Sequence, residues 1–284
     1  MNKKIKIVEC PRDAMQGLSR IIPTKLKAEY INSLIKVGFE YIDFGSFVSS
    51  KIVPQMSDTI DVLKLLNIDS QTSLLAVILN KKGAEIAASF DEIKILGYPL
   101  SISEIFQKKN SNKSIKESLH VIDQILEICY QNNKEPLIYF SMAFGNPYNE
   151  VWDKSILLNY INQIKNKGVN LISLADTIGN SDIHSIRDIY YSCAVNFPDL
   201  DIGLHLHSHP NDSFKKIQSA WESGCRRFDV AISGYGGCPF AQDQLVGNIS
   251  TQQLLNFLAK NNLKHSLDLL ALENSYNQSR EIFD

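Results

Sequence analysis

The sequence has no long apolar run, no paired cysteines and no concentration of one charge, and each absence removes a class of protein. Its longest apolar stretches, such as Leu74–Leu79, are strand-sized, whereas a membrane-spanning helix needs about 20 apolar residues. The first residues, MNKKIKIVEC, pass from a charged tip straight into a short apolar run and hold no signal-peptide core. The expectation is a soluble, cytoplasmic protein with no membrane partner. The five cysteines (Cys10, Cys129, Cys193, Cys225 and Cys238) are odd in number and form no CxxC pair. That argues against a disulfide framework or a zinc knuckle. With 29 basic and 31 acidic residues and no basic run, nothing points to nucleic acid as a partner. A GxxxxGK phosphate loop is also missing.

What the chain does have is a steady alternation of short β-rich runs and amphipathic segments. The strand candidates are Ile5–Cys10, Tyr41–Phe47, Ser73–Leu79, Glu92–Leu96, Leu137–Ala143, Leu171–Ala175, Ile202–His207 and Phe228–Ile232. Several are nearly continuous apolar runs, the pattern of parallel strands covered on both faces. Helical patterns lie between them at Lys25–Val37, Ile115–Gln131, Lys154–Lys167, Ser181–Val195 and Ser213–Ser223. Along one of these, Leu157, Tyr160, Ile161 and Ile164 recur at helical spacing. Eight such runs suggest a closed barrel or a doubly wound sheet; the count, the 284-residue length with 44% hydrophobic composition and the lack of a long linker favour one (β/α)8 TIM barrel over residues 1–284. Beyond about Ser250 the sequence predicts one or two extra helices packed across the barrel.

Active sites of such barrels lie at the C-terminal ends of the strands, so the residues that follow each strand are the candidates. The first strand runs into Arg12, Asp13 and Gln16, and the second contains Asp43. The sixth ends at Asp176, the seventh carries His205 and His207, and the eighth leads into Gly234-Tyr235-Gly236-Gly237-Cys238-Pro239, with Asn248 beyond it. Alternate strand residues share a face, so His205 and His207 can converge on one point. An isolated HxH is more often a hydrogen-bonded core pair; its place at a strand end reverses that preference. With Asp13 and the amide oxygen of Asn248 it offers two nitrogens and two oxygens, a set that suits an octahedral divalent ion, Mg2+ or Mn2+, better than zinc. Arg12 beside Asp13 reads as a structural ion pair or as a cation for a developing oxyanion, and Asp13 as a carrier of protons as well as a ligand. Cys238 sits in a turn whose glycines permit left-handed backbone and close approach; it is either an inert loop thiol or a proton donor. Gln16, Asp43 and Asp176 are weaker candidates for binding substrate, since each also fits a local capping role. Lys94 invites a Schiff-base reading but fits a surface lysine better. Lys51 and the Lys108-Lys109-Asn110 patch suit an anionic ligand or simply solvent, and His209 is a minor ligand candidate.

Taken together, IVECPRDAMQG (Ile7–Gly17), SFVSSKIVPQM (Ser46–Met56), ISEIFQKKN (Ile102–Asn110), SLADTIG (Ser173–Gly179), HLH (His205–His207), GYGGCPFA (Gly234–Ala241) and Gly247-Asn248 resemble hydroxymethylglutaryl-CoA lyases over nearly the whole chain. The resemblance implies a TIM barrel, an acyl-CoA substrate, a divalent metal and a homodimer. It implies that Asp13, His205, His207 and Asn248 hold the metal, that Arg12 neutralises the enolate oxygen, and that Cys238 is the catalytic thiol. Asp43 and Asp176 fall where the family keeps carboxylates. Three departures stand out: Asp43 replaces the common Glu, Ser208 replaces an Asp, and the stretch from Gln242 to Gly247 is slightly long. The activity implied is cleavage of 3-hydroxy-3-methylglutaryl-CoA to acetoacetate and acetyl-CoA, in leucine degradation and ketone body formation. The rivals are a lyase for related branched 3-hydroxyacyl-CoA thioesters, a metal-dependent aldolase, a condensing synthase of the isopropylmalate synthase type, and an inactive binding barrel.

Overall fold

In the computed structural model, which describes residues 4–68, 71–237 and 246–284, eight strands close into a parallel barrel in chain order. They are β1 (Lys6–Glu9), β2 (Tyr41–Ser46), β3 (Ser73–Val77), β4 (Ile93–Ser101), β5 (Glu135–Ser141), β6 (Leu171–Asp176), β7 (Asp201–Leu206) and β8 (Arg227–Val230). All eight expected strands are present, and β1 completes the closure by pairing with β8 from Lys6 opposite Arg227 to Glu9 opposite Val230. β4 runs five residues further than expected. Gly97 and Pro99 discourage a strand reading, yet every residue from Ile95 to Ser101 pairs with β5.

Period-two alternation divides each strand between two cores. Val8, Cys10, Leu75, Val77, Leu137, Tyr139 and Leu171 fill the inside of the barrel. Their neighbours Ile7, Ile42, Leu74, Leu96, Ile138, Ile172 and Leu204 face outward into a larger core shared with the helices. Burial on both faces is why the strands read as continuous apolar runs.

The helices are α1 (Pro11–Gln16), α2 (Thr24–Val37), α3 (Thr59–Leu63), α4 (Lys81–Ala88), α5 (Glu104–Ser111), α6 (Ile115–Gln131), α7 (Lys154–Asn166), α8 (Ile183–Asn196), α9 (Pro210–Glu222), α10 (Thr251–Lys260) and α11 (Leu269–Phe283). Their ends follow local chemistry. Ser114 and Glu117 form a reciprocal capping box on α6, and Gly38 in left-handed conformation stops α2.

The last two helices depart from the expectation that they lie across the barrel. α10 takes the place of the helix after β8, packing Phe257 against Phe214 and Trp221 of α9. α11 lies along the flank against α2. There Phe283 meets Tyr30 edge-on, and the Asp268 amide donates to the Val37 carbonyl at 2.9 Å. The cause is a free apolar stripe on α2, which α11 covers with Leu272 and Ile282, both buried.

Candidate active site

The rim begins where β1 ends. Pro11 occupies the first turn of the six-residue α1, a position where its missing N–H costs nothing. The short helix brings Arg12, Asp13 and Gln16 together through i,i+3 and i,i+4 spacing. Arg12 Nη1 donates to Asp13 Oδ1 at 3.1 Å and to Gln16 Oε1 at 3.0 Å, and Gln16 Nε2 donates to Asp13 Oδ1 at 2.9 Å. From β2, Asp43 accepts from one edge of the same guanidinium, at 3.1 Å from Nε and 2.5 Å from Nη2. Such a fork-to-fork pair fixes the plane of the arginine. Burial works against charge at all three groups. Arg12 is nonetheless raised by Asp43 and Asp13. Asp13 is held at about 2 by Arg12, His205 and His207 against the cost of burial. At Asp43 burial outweighs Arg12 and leaves the carboxyl at about 6.

Opposite this cluster, β7 presents His205 and, just past its end, His207. One ligand atom each from Asp13, His205 and His207 lie within 4.8 Å of one another, all on buried residues. Asn248 pairs with His207 through an isolated antiparallel bridge, which brings its side chain into the same group. His207 Nδ1 lies 3.0 Å from the Thr177 carbonyl. A carbonyl only accepts, so Nδ1 carries the hydrogen and Nε2 keeps its lone pair. Asn248 Nδ2 donates to Asp13 Oδ2 and to the Tyr235 carbonyl, each at 2.9 Å, which leaves the amide oxygen as acceptor. Both left-over acceptors, His207 Nε2 and Asn248 Oδ1, are buried without a hydrogen-bond partner. Orphaned buried acceptors are costly, and these sit beside an ionised Asp13. The donor set therefore fits a cation. Burial and the neighbouring His205 lower the His207 pKa, which favours the neutral imidazole a metal needs. At His205 burial is outweighed by Asp229 and Asp13, and the pKa is raised.

This polar group forms one end of a cleft of about 850 Å³, mouth included, which has Val48, Ile52, Leu79 and Phe106 among its lining residues, together with Ser141, Thr177 and Asn110. The glycine-rich turn packs against the cluster. Gly236 has a left-handed φ of 99°, and a Cβ there would stand 2.8 Å from both Ala14 Cα and Asn248 Nδ2, so only glycine lets the turn approach so closely. Cys238 lies outside the described residues.

Other sequence candidates sit elsewhere. The Asp176 carboxylate is buried and committed to Ser181 and to Lys216 Nζ, the latter at 3.0 Å. Lys216 also donates to the His207 carbonyl at 2.9 Å, so Asp176 is linked to the cluster through Lys216 and the backbone beneath His207, and its charge favours the protonated His207 ring. His209 is exposed and stands at the N-cap position of α9, just before Pro210. Lys94, Lys51, Lys108 and Lys109 are exposed, with Lys109 held 4.4 Å over the Tyr148 ring. Three buried residues escaped the sequence reading. Tyr139 lines the cleft with its ring edge-on to His205 at 5.9 Å. Asp229 lies 3.3 Å from His205 Nδ1. Glu9 anchors the turn after β8 by accepting from the Ile232 amide and the Thr251 hydroxyl. A carboxylate inside an apolar strand run was the available signal for Glu9 and Asp229.

The chain is similar to known proteins over most of its length. The curated hydroxymethylglutaryl-CoA lyase of Bacillus subtilis is 30% identical over 270 residues, covering 94% of this chain and 89% of that protein. The human mitochondrial hydroxymethylglutaryl-CoA lyase is 33% identical over 259 residues, covering 90% and 78%. Among solved structures, an HMG-CoA lyase of Acinetobacter baumannii in complex with coenzyme A and 3-methylmalate superimposes with a TM-score of 0.91 at 27% identity, covering 98% of this chain and 91% of that one. A family model described as HMGL-like matches residues 4–277, and the chain belongs to that HMGL-like family.

Proposed function

We infer that the chain is a carbon–carbon lyase that cleaves 3-hydroxy-3-methylglutaryl-CoA to acetoacetate and acetyl-CoA. The observation that carries this reading is the convergence of Asp13, His205 and His207, with the orphaned oxygen of Asn248, beside the Arg12 guanidinium at the end of a cleft. It occurs in a chain about a third identical to curated lyases of that name over most of its length. Asp13, His205, His207 and Asn248 would hold Mg2+ or Mn2+, which supplies Lewis acidity to a coordinated oxygen.

The protein's own groups account for the rest. A proton passes from the 3-hydroxyl to a base at the rim, the Asp13 carboxylate, or His205 in the state where its Nε2 is not engaged by the metal. The C2–C3 bond breaks, C3 becomes the ketone of acetoacetate, and the electron pair moves onto the thioester as an enolate. Arg12, fixed in plane by Asp43, faces the developing enolate oxygen, where a preorganised cation has its largest effect. The Cys238 thiol delivers a proton to C2 and completes acetyl-CoA. Gln16 keeps Asp13 and Arg12 in register and contacts substrate. Asp43 acts through Arg12, and Asp176 through Lys216 and the His207 backbone. The family resemblance further supports one catalytic domain over the whole chain, a homodimer, a cytoplasmic location and a part in leucine degradation and ketone body formation.

Offering the purified protein 3-hydroxy-3-methylglutaryl-CoA beside related branched 3-hydroxyacyl-CoA thioesters and free 2-oxo acids tests the substrate. Preferred release of acetyl-CoA from the first is expected. Preference for another thioester, or turnover of a free acid, would replace this reading.

A further inference from the structure

Asp229 has no part in the reaction above, yet it lies in the barrel directly beneath the rim. The β7–β8 register sets it opposite His205, and its carboxylate is fully buried with Oδ2 3.3 Å from His205 Nδ1. Below it stands Arg227, 1% exposed, with Nη1 3.9 Å from Asp229 Oδ1. Ser173 bridges the two: its hydroxyl accepts from Arg227 at 3.3 Å and donates to Asp229 at 3.4 Å. Arg227 is itself pinned by Asp201 Oδ1 at 3.1 Å and by the Ile172 carbonyl. It fills a space that only a glycine at 203 leaves open, since a Cβ there would collide with the guanidinium.

A neutral imidazole offers one lone pair, and which nitrogen keeps it depends on what the other nitrogen meets. His207 meets the Thr177 carbonyl. For His205 the buried Nδ1 faces Asp229 Oδ2 at 3.3 Å. That oxygen is an acceptor, so it places the hydrogen on Nδ1 and leaves the Nε2 lone pair for the rim. Cys10 Sγ lies within 4.8 Å of the same two groups, but the Arg227 charge beside Asp229 disfavours a second cation in that place.

We propose that Asp229, anchored from below by Arg227, is the positioning residue that sets His205 to bind metal. The proposal rests on Asp13, His205, His207 and Asn248 being the metal ligands. Mn2+ titration of the metal-stripped protein without substrate, followed by electron paramagnetic resonance, tests it. Asp229→Ala should weaken Mn2+ binding about 10- to 100-fold, the usual effect of removing an outer partner of a metal-ligating histidine. Asp229→Asn, which keeps an acceptor for Nδ1, should lose less. In a His205→Ala background, Asp229→Ala should cause no further loss. Affinity within twofold of the parent in Asp229→Ala, or an undiminished loss in the His205→Ala background, overturns the proposal. Should Asp229→Ala not fold, Asp229→Asn decides: weakened binding at an unchanged melting temperature supports it, and parental affinity overturns it. A parent protein that binds no Mn2+ overturns the ligand reading itself and this proposal with it, a result distinct from the others.

Discussion

Asn248 Nδ2 donates to Asp13 Oδ2 at 2.9 Å across 235 positions of sequence. The bond ties the segment after β8 to the helix after β1 at the seam where the barrel closes. It also decides which way the amide faces, and hence that an oxygen rather than a nitrogen is left beside His207.

That arrangement makes metal affinity the first measurable consequence. His207→Ala removes a buried lone pair and Asn248→Ala removes an orphaned oxygen, so each variant should bind Mn2+ at least about tenfold more weakly by calorimetric titration. Parental affinity in either would remove that residue from the ligand set.

Arg12 carries two loads that a variant pair separates. Arg12→Met should lower kcat by at least about 10²-fold, the scale of losing one preorganised oxyanion partner. It should also destabilise the fold by about 3 kcal/mol, because Asp43 is left buried and unpaired. Adding Asp43→Leu should recover much of the stability in urea unfolding and none of the turnover. Recovery of turnover would show that Arg12 serves structure alone.

Glu9 predicts a pH dependence of stability. Burial raises its carboxyl from an ordinary 4.5 to about 8, against the hydrogen bonds from Thr251 and Ile232. Between those values the folded protein keeps a proton that the unfolded chain releases. The associated stability is therefore complete below about pH 4.5 and is lost as pH rises through about 8. Glu9→Gln lacks this titration, so the parent should lose melting temperature faster than the variant between about pH 4.5 and about pH 8. Parallel curves would contradict the assignment.

Cys238→Ser should nearly abolish turnover while leaving Mn2+ affinity within about twofold of the parent, because a hydroxyl is a far poorer proton donor than a thiol. Unchanged turnover would remove the thiol from the reaction.

How much of this was legible beforehand depends on which interactions are local. All eight strands could be read, because a strand buried on both faces leaves a continuous apolar run whatever it pairs with. That Arg12, Asp13, His205 and His207 stand at the rim could be read for a related reason: in a barrel, the end of a strand is already a place. What the sequence hid was partnership. Asp176 looks like a site residue because it ends a strand, but Lys216, 40 positions later, takes its carboxylate. Asp229 stands out as a carboxylate in the Phe228–Ile232 run, but its partner does not, because only the β7–β8 register sets it against His205. The flank position of α11 depends on the exposed stripe of α2, which neither segment reveals by itself.

The most direct test of the central claim is a single assay. Metal-stripped protein is given 3-hydroxy-3-methylglutaryl-CoA, with and without added Mg2+ or Mn2+, and acetoacetate and acetyl-CoA are both followed. The account predicts that the two products appear in equal amounts and only when metal is restored. Product formation that is indifferent to metal, or no product with either ion, would contradict it.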